Sequence, residues 1–166
     1  MGIGIITTLI EQLFMKKKIV QLICYDTETG DQIESDETLL KYYNIFKYSI
    51  NDNGSLNVFE GVSLYNKDLN FLPFKFHYIG GSFTCTYNNL TDLKGSPSYV
   101  GGYFYCRYNN LTNLEGGPSY VGGNFYCASN NLTSLKGAPD YVGGDFSCHS
   151  NNLTDFRKSF IEGYWY

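Results

Sequence analysis

Four of the five cysteines, Cys85, Cys106, Cys127 and Cys148, recur at intervals of 21 residues, and thiols so ordered raise two chemistries, metal binding and disulfide formation. Neither suits the interval if it marks stacked strands. Neighbouring strands lie about 4.8 Å apart, whereas a disulfide wants Cβ atoms about 3.8 Å apart. Thiols in a file also cannot surround one ion tetrahedrally. The cysteines therefore read as small buried hydrophobes in a reducing compartment. Acid–base chemistry fares no better: the histidines are His77 and His149, and Asp92 and Asp155 share a column but stand three repeats apart. There is no phosphate-binding loop and no dinucleotide fingerprint. The expectation is a protein that is not an enzyme and takes no cofactor or metal. Asn-Leu-Thr at Asn89, Asn110, Asn131 and Asn152 matches a glycosylation acceptor but belongs to the repeat, and no export signal accompanies it.

The elements that position these residues follow from the same interval. Residues 80–100 read GGSFTCTYNNLTDLKGSPSYV, 101–121 GGYFYCRYNNLTNLEGGPSYV and 122–142 GGNFYCASNNLTSLKGAPDYV; 143–156 begin a further unit, GGDFSCHSNNLTDF. Carried backwards, the frame sets Val62, Leu64, Leu69, Leu72 and Ile79 on the apolar positions of a degenerate first unit. One unit offers about five apolar side chains, worth at most about 1.5–3 kcal/mol each when buried. Ordering its backbone costs about 1–2 kcal/mol per residue, so a unit folds only by stacking on its neighbours. Phe-x-Cys alternates with period two: Phe104 and Cys106 point inward with Leu111, Leu114 and Val121, while Tyr103, Tyr105 and Arg107 point outward. The Gly and Pro clusters on either side mark turns, and no segment is long enough for a regular helix.

The stretch F-x-C-x-x-N-x-L-x-x-L resembles the leucine-rich repeat, with Phe and Cys in the two strand Leu positions. More narrowly, L-x-G-x-P-x-x-V-G-G-x-F-x-C-x-x-N-x-L-T is similar to short leucine-rich repeats of tailed bacteriophages and bacteria, over residues 48–156. The resemblance implies a mainly β leucine-rich-repeat solenoid of about five 21-residue repeats with a parallel sheet and a small α+β N-terminal cap. It also implies that Asn88, Asn109, Asn130 and Asn151 form an inward ladder satisfying backbone groups, with Lys67 in that place in the first unit. It carries no activity and no catalytic residue.

The division expected is an N-terminal extension and cap over 1–57, the solenoid over 58–156 and an aromatic C-terminal cap over 157–166. Within the cap, 19–25 reads as a strand and 28–31 as a turn. Ser35-Asp36 reads as the N-cap of a short helix burying Leu39, Leu40, Tyr43 and Phe46, and Asp52-Asn53-Gly54 as a hairpin turn. Net charge is -4, which argues against nucleic acid and anionic membrane as partners. No apolar run approaches the roughly 20 residues of a membrane span. Gly2–Ile10 precedes Lys16-Lys17-Lys18, the reverse of a secretory signal, so the expectation is a cytoplasmic protein starting at Met1 or Met15.

Tyr and Asn, at 16 each, and Gly, at 18, exceed what a helical protein would hold. The columns that vary between repeats are the outward ones: Ser82, Thr84, Thr86; Tyr103, Tyr105, Arg107; Asn124, Tyr126, Ala128; Asp145, Ser147, His149. Tyr and Arg meet in the middle, extended by Tyr87 and Tyr108 at the strand ends. The candidate binding residues are Tyr103, Tyr105, Arg107, Tyr108, Asn124, Tyr126 and His149. The expected function is binding of a host or phage protein, antagonism of a host defence factor being one use. The alternatives are a small-ligand or glycan receptor, with tyrosines stacked on sugar rings, and a homo-oligomer joined through Tyr164-Trp165-Tyr166. Lys94, Glu115 and Lys136 share a column and alternate in sign along the stack.

Overall fold

A computed structural model describes residues 22–33 and 37–154. The readings that fall on 1–21, on Ser35-Asp36 and on the C-terminal cap lie outside the described residues. The chain is a β-solenoid of about four regular turns after a degenerate first one. Each 21-residue unit makes two short strands, and stacking joins them into two parallel sheets.

One sheet contains β5 (Val62–Ser63), β7 (Phe83–Thr84), β9 (Phe104–Tyr105), β11 (Phe125–Tyr126) and β13 (Phe146–Ser147), the strand read from Phe-x-Cys. Its register is the sequence repeat itself: Phe83, Phe104, Phe125 and Phe146 are successive partners. The other sheet is an addition to the single sheet expected. It orders β12 (Tyr141–Val142), β10 (Tyr120–Val121), β8 (Tyr99–Val100), β6 (Phe76–Ile79), β4 (Leu56–Val58) and β3 (Tyr48–Ile50). Tyr-Val thus forms a strand of its own, with Val inward and Tyr outward. A Gly-Gly corner separates the two strands of each unit. A Cβ on Gly101, Gly122 or Gly143 would run into the carbonyl oxygen of Gly80, Gly101 or Gly122 one turn earlier, so the close stacking of corners requires glycine there.

One continuous core runs from Leu22 to Cys148. Phe83, Phe104, Phe125 and Phe146 stack through it with centroids 5.5, 5.1 and 5.0 Å apart. The five apolar positions of the degenerate first unit are all buried. The Asn ladder is present: Oδ1 of Asn109 accepts from the Leu90 amide at 3.1 Å, and its Nδ2 donates to the carbonyls of Cys85 and Cys106 at 3.0 and 3.2 Å. Asn88, Asn130 and Asn151 repeat this pattern in their own turns, and Asn88 also accepts from the Lys67 amide.

At the N-terminal end β3 and β4 pair antiparallel around the 52–54 turn, and β4 continues into the parallel sheet beside β6. Ahead of them β1 (Cys24–Tyr25) and β2 (Gln32–Ile33) form a small antiparallel pair whose turn is held by Asp26 Oδ1, which accepts from the amides of Glu28 and Thr29. Helix α1 (Glu37–Tyr42) buries Leu40, and Tyr43 is buried just beyond its end. Phe46 departs from expectation: it is 66% exposed, because α1 ends at Tyr42 and Asn44 turns left-handed at φ 56°. The helical period stops there, and Ile45 is buried in its place. In the charged column Lys136 pairs with Glu115 at 2.9 Å, whereas Lys94 instead lies over the Tyr25 ring.

Candidate functional site

The outward face of the five-stranded sheet carries the varying columns, and its side chains are read off in steps of 21 residues. The Tyr105 column runs Ser63, Thr84, Tyr105, Tyr126, Ser147; the Arg107 column runs Tyr65, Thr86, Arg107, Ala128, His149. Beyond the strand ends comes a column in left-handed backbone, Asn66, Tyr87, Tyr108, Ser129 and Ser150, with φ between 50° and 57°. Asn is at ease in that conformation, whereas a bulky side chain costs about 1–2 kcal/mol. Tyr occupies it only in the second and third turns.

Those two turns and the first enclose an open recess of about 450 Å³ lined by Tyr65, Thr84, Thr86, Tyr87, Tyr105, Arg107 and Tyr108. Thr84 and Thr86 are the short side chains of the lining. Tyr87 and Tyr108 stack at 4.3 Å with planes 5° apart, and Tyr65 meets Tyr87 at 5.5 Å and 76°. On the other side Tyr105 stacks on Tyr126 at 5.1 Å.

Arg107 is half-buried, and its guanidinium lies 5.6 Å from the Tyr108 ring centre. Among the described residues its side chain makes no hydrogen bond and no ion pair, and its buried Nε has no acceptor. Two of the phenols around it, Tyr87 and Tyr105, are shifted upward. Burial, then the side-chain hydrogen bond with Tyr108 and the neighbouring phenols, hold the Tyr87 hydroxyl above the usual range, with Arg107 pulling the other way. Burial followed by Tyr126 and Tyr103 does the same at Tyr105.

Of the seven residues expected to bind, the fold brings Tyr105, Arg107 and Tyr108 into the recess. Tyr126 supports Tyr105 from behind. Tyr103, 45% exposed, tilts against Tyr105 at 5.9 Å outside the lining. Asn124 is occupied structurally: its Nδ2 donates to the Tyr126 hydroxyl at 2.5 Å and its Oδ1 accepts from the Asp145 amide at 3.0 Å. His149 stands two turns beyond Arg107, with its Nδ1 3.1 Å from Ser150 Oγ. Three positions expected to face outward are buried: Thr86, Ala128 and Ser147. Each is a short side chain beside a longer one in an adjacent turn, Thr86 and Ala128 beside Arg107, and Ser147 beside Tyr126.

Tyr65 is the recess residue that the sequence reading passed over. The signal is the frame itself, which carried back one unit puts Tyr65 in the Arg107 column.

None of the five cysteines is in a disulfide. Cys85 and Cys127 donate their thiols to the carbonyls of Tyr105 and Ser147 in the next turn at 3.6 and 3.5 Å. Among the described residues no cluster of three His, Cys, Asp or Glu side chains is placed to hold a metal ion, and no helix is long and apolar enough to cross a membrane. Comparison with protein-family models, with curated proteins and with solved structures gives no match in any of the three.

Proposed function

We propose that the protein is a non-enzymatic binding module on the leucine-rich-repeat plan, which takes a segment of a partner protein into the recess of Tyr65, Tyr87, Tyr105, Arg107 and Tyr108. One observation carries this reading: a half-buried guanidinium, without hydrogen bond or ion pair among the described residues, stands among four phenols at the centre of the outward sheet. Tyr and Arg are the residues most enriched where a few side chains carry an interface. Their rings are fixed by stacking before anything binds, which reduces the ordering cost of association.

The sheet face alone is small. Five strands span roughly 24 Å, and a standard interface takes about 800 Å² from each partner. A stable partner therefore also touches the N-terminal elements or the loops flanking the recess. The repeat's likeness to phage and bacterial proteins is the sole support for a phage-encoded protein in the bacterial cytoplasm, with a host or phage protein as its target and a host defence factor as one such target.

The glycan alternative is the weaker one. Sugar rings stack on exposed aromatic faces, whereas Tyr87 with Tyr108 and Tyr105 with Tyr126 each cover one face of the other, and Tyr99 and Tyr120 on the other sheet are covered on both by Tyr78 and Tyr141 and by each other. The test is capture from bacterial lysate on immobilised protein, comparing wild type, Tyr105→Ala with Arg107→Ala, and Tyr99→Ala on the other sheet. A partner lost from the double variant and kept by Tyr99→Ala supports the reading. A partner held equally by all three overturns it.

A further inference from the structure

We propose that the recess is an oxyanion site, so that the partner segment docks through a carboxylate or phosphoryl group carried on a flat or aromatic side chain. The inference rests on the binding reading above and names the chemistry that would fill the recess.

Three features point the same way. First, Tyr87 is paired with Tyr108 and Tyr105 with Tyr126, so each of these rings has one face covered and the lining is not a cage of open ring faces such as a cation takes. The ring edges and hydroxyls left to the recess are the positive side of these rings and suit an anion, while the face of Tyr105 opposite Tyr126 gives a flat group a wall. Second, burial holds the Tyr105 and Tyr87 hydroxyls above the usual phenol range, so Tyr105 keeps an O–H donor to offer and Tyr87 shares one with Tyr108. Third, Arg107 supplies a planar fork of donors that matches two oxygens at once, and no carboxylate lines the recess to compete for it. The two ion pairs among the described residues, Lys47 with Glu60 and Lys136 with Glu115, involve other side chains.

Size adds a constraint. A bare anion would leave most of about 450 Å³ unfilled, and recesses of a few hundred Å³ suit whole small-molecule groups. A six-membered ring bearing one oxyanion reaches from the Arg107 fork across Thr84 and Thr86. The chain's charge of -4 does not favour anions in general, so attraction here is local to this one cation.

The test is titration of the full chain, followed by NMR at the Arg107 Nε–Hε group and the Tyr87 and Tyr108 rings, with four probes of one shape: phenyl phosphate, phenylacetate, benzyl alcohol and benzylamine. Saturable shifts with at least one aryl oxyanion, at least tenfold tighter than with the alcohol or the amine, are expected. A preference for phenyl phosphate would assign a phosphorylated side chain to the partner, and a preference for phenylacetate an acidic one. Arg107→Gln is expected to weaken the oxyanion at least tenfold. Tyr87→Phe, which keeps the ring and loses the hydroxyl, is expected to weaken it about threefold, so the outcome does not hang on one variant. Equal binding of benzylamine, undiminished binding in Arg107→Gln, or no saturable shift with any probe would overturn the proposal. Failure of the oxyanions while a partner still depends on Tyr105 and Arg107 removes this inference alone. Oxyanion binding with partner capture unaffected by those substitutions upholds the site and removes the protein partner.

Discussion

Asn109 does the work of two turns with one amide, accepting from Leu90 and donating to Cys85 and Cys106. Replacing it with Leu keeps the volume and strands a buried N–H with two carbonyls, at about 1–3 kcal/mol for each group left unpaired. Asn109→Leu is expected to destabilise the protein by about 3–5 kcal/mol in urea unfolding, and Asn151→Leu, in a partly exposed turn, by about half as much. This ladder was expected from the likeness of the repeat to leucine-rich repeats, and an amide that both donates and accepts suits it. The left-handed column was not, because Tyr carries no conformational signature of φ near 55°. Tyr108→Asn relieves about 1–2 kcal/mol of backbone cost and gives up about 0.5–1.5 kcal/mol of ring stacking. Thermal unfolding should find it within about 1 kcal/mol of wild type, with its share of the recess wall gone. Partner or probe binding lost at unchanged stability would mark Tyr108 as a residue kept for recognition.

At the scale of elements, the strand Phe-x-Cys could be read in advance because alternation over three residues fixed its faces. The Tyr-Val strand could not, since two residues between turn signals have no period, and only stacking gives them partners. The helix was overextended to Phe46 for the opposite reason: apolar spacing persisted in the sequence after Asn44 had turned the backbone away. The Gly-Gly corner that links the two strands can be tested residue by residue. A Cβ on Gly143 meets the backbone carbonyl of Gly122, which cannot yield without parting two turns, whereas on Gly144 it meets the side-chain amide of Asn124. Gly143→Ala is expected to cost about 3 kcal/mol, and Gly144→Ala about 1 kcal/mol as the amide rotates aside and loses its bond to Asp145. Equal costs in chemical denaturation would show that corner spacing does not depend on the first glycine.

For the molecule as a whole, the repeat turns one buried thiol into a file of them, and a property that is minor in one turn becomes a global one. Cys85, Cys106 and Cys127 are fully buried. Burial pushes the Cys85 thiol up to about 12 and holds Cys106 and Cys127 well above the ordinary range, the latter two raised further by neighbouring thiols in the file. In the unfolded chain each ionises near pH 8.5. Above that pH the unfolded chain binds fewer protons than the folded one, so stability is whole below about pH 8 and declines as pH rises. Each thiol adds about 1.4 kcal/mol per pH unit to the decline, and three together about 4 kcal/mol per pH unit by about pH 9.5. Urea unfolding at intervals from pH 7 to 9.5, under reducing conditions, should show that slope, with phenols adding to it only toward the top of the range. Cys106→Ala leaves a cavity and lowers stability at every pH, yet it should also remove about one third of the slope, which a cavity cannot do. A stability flat to pH 9.5 would mean that the file of thiols is open to solvent and that the turns do not stack as tightly as their shared register requires.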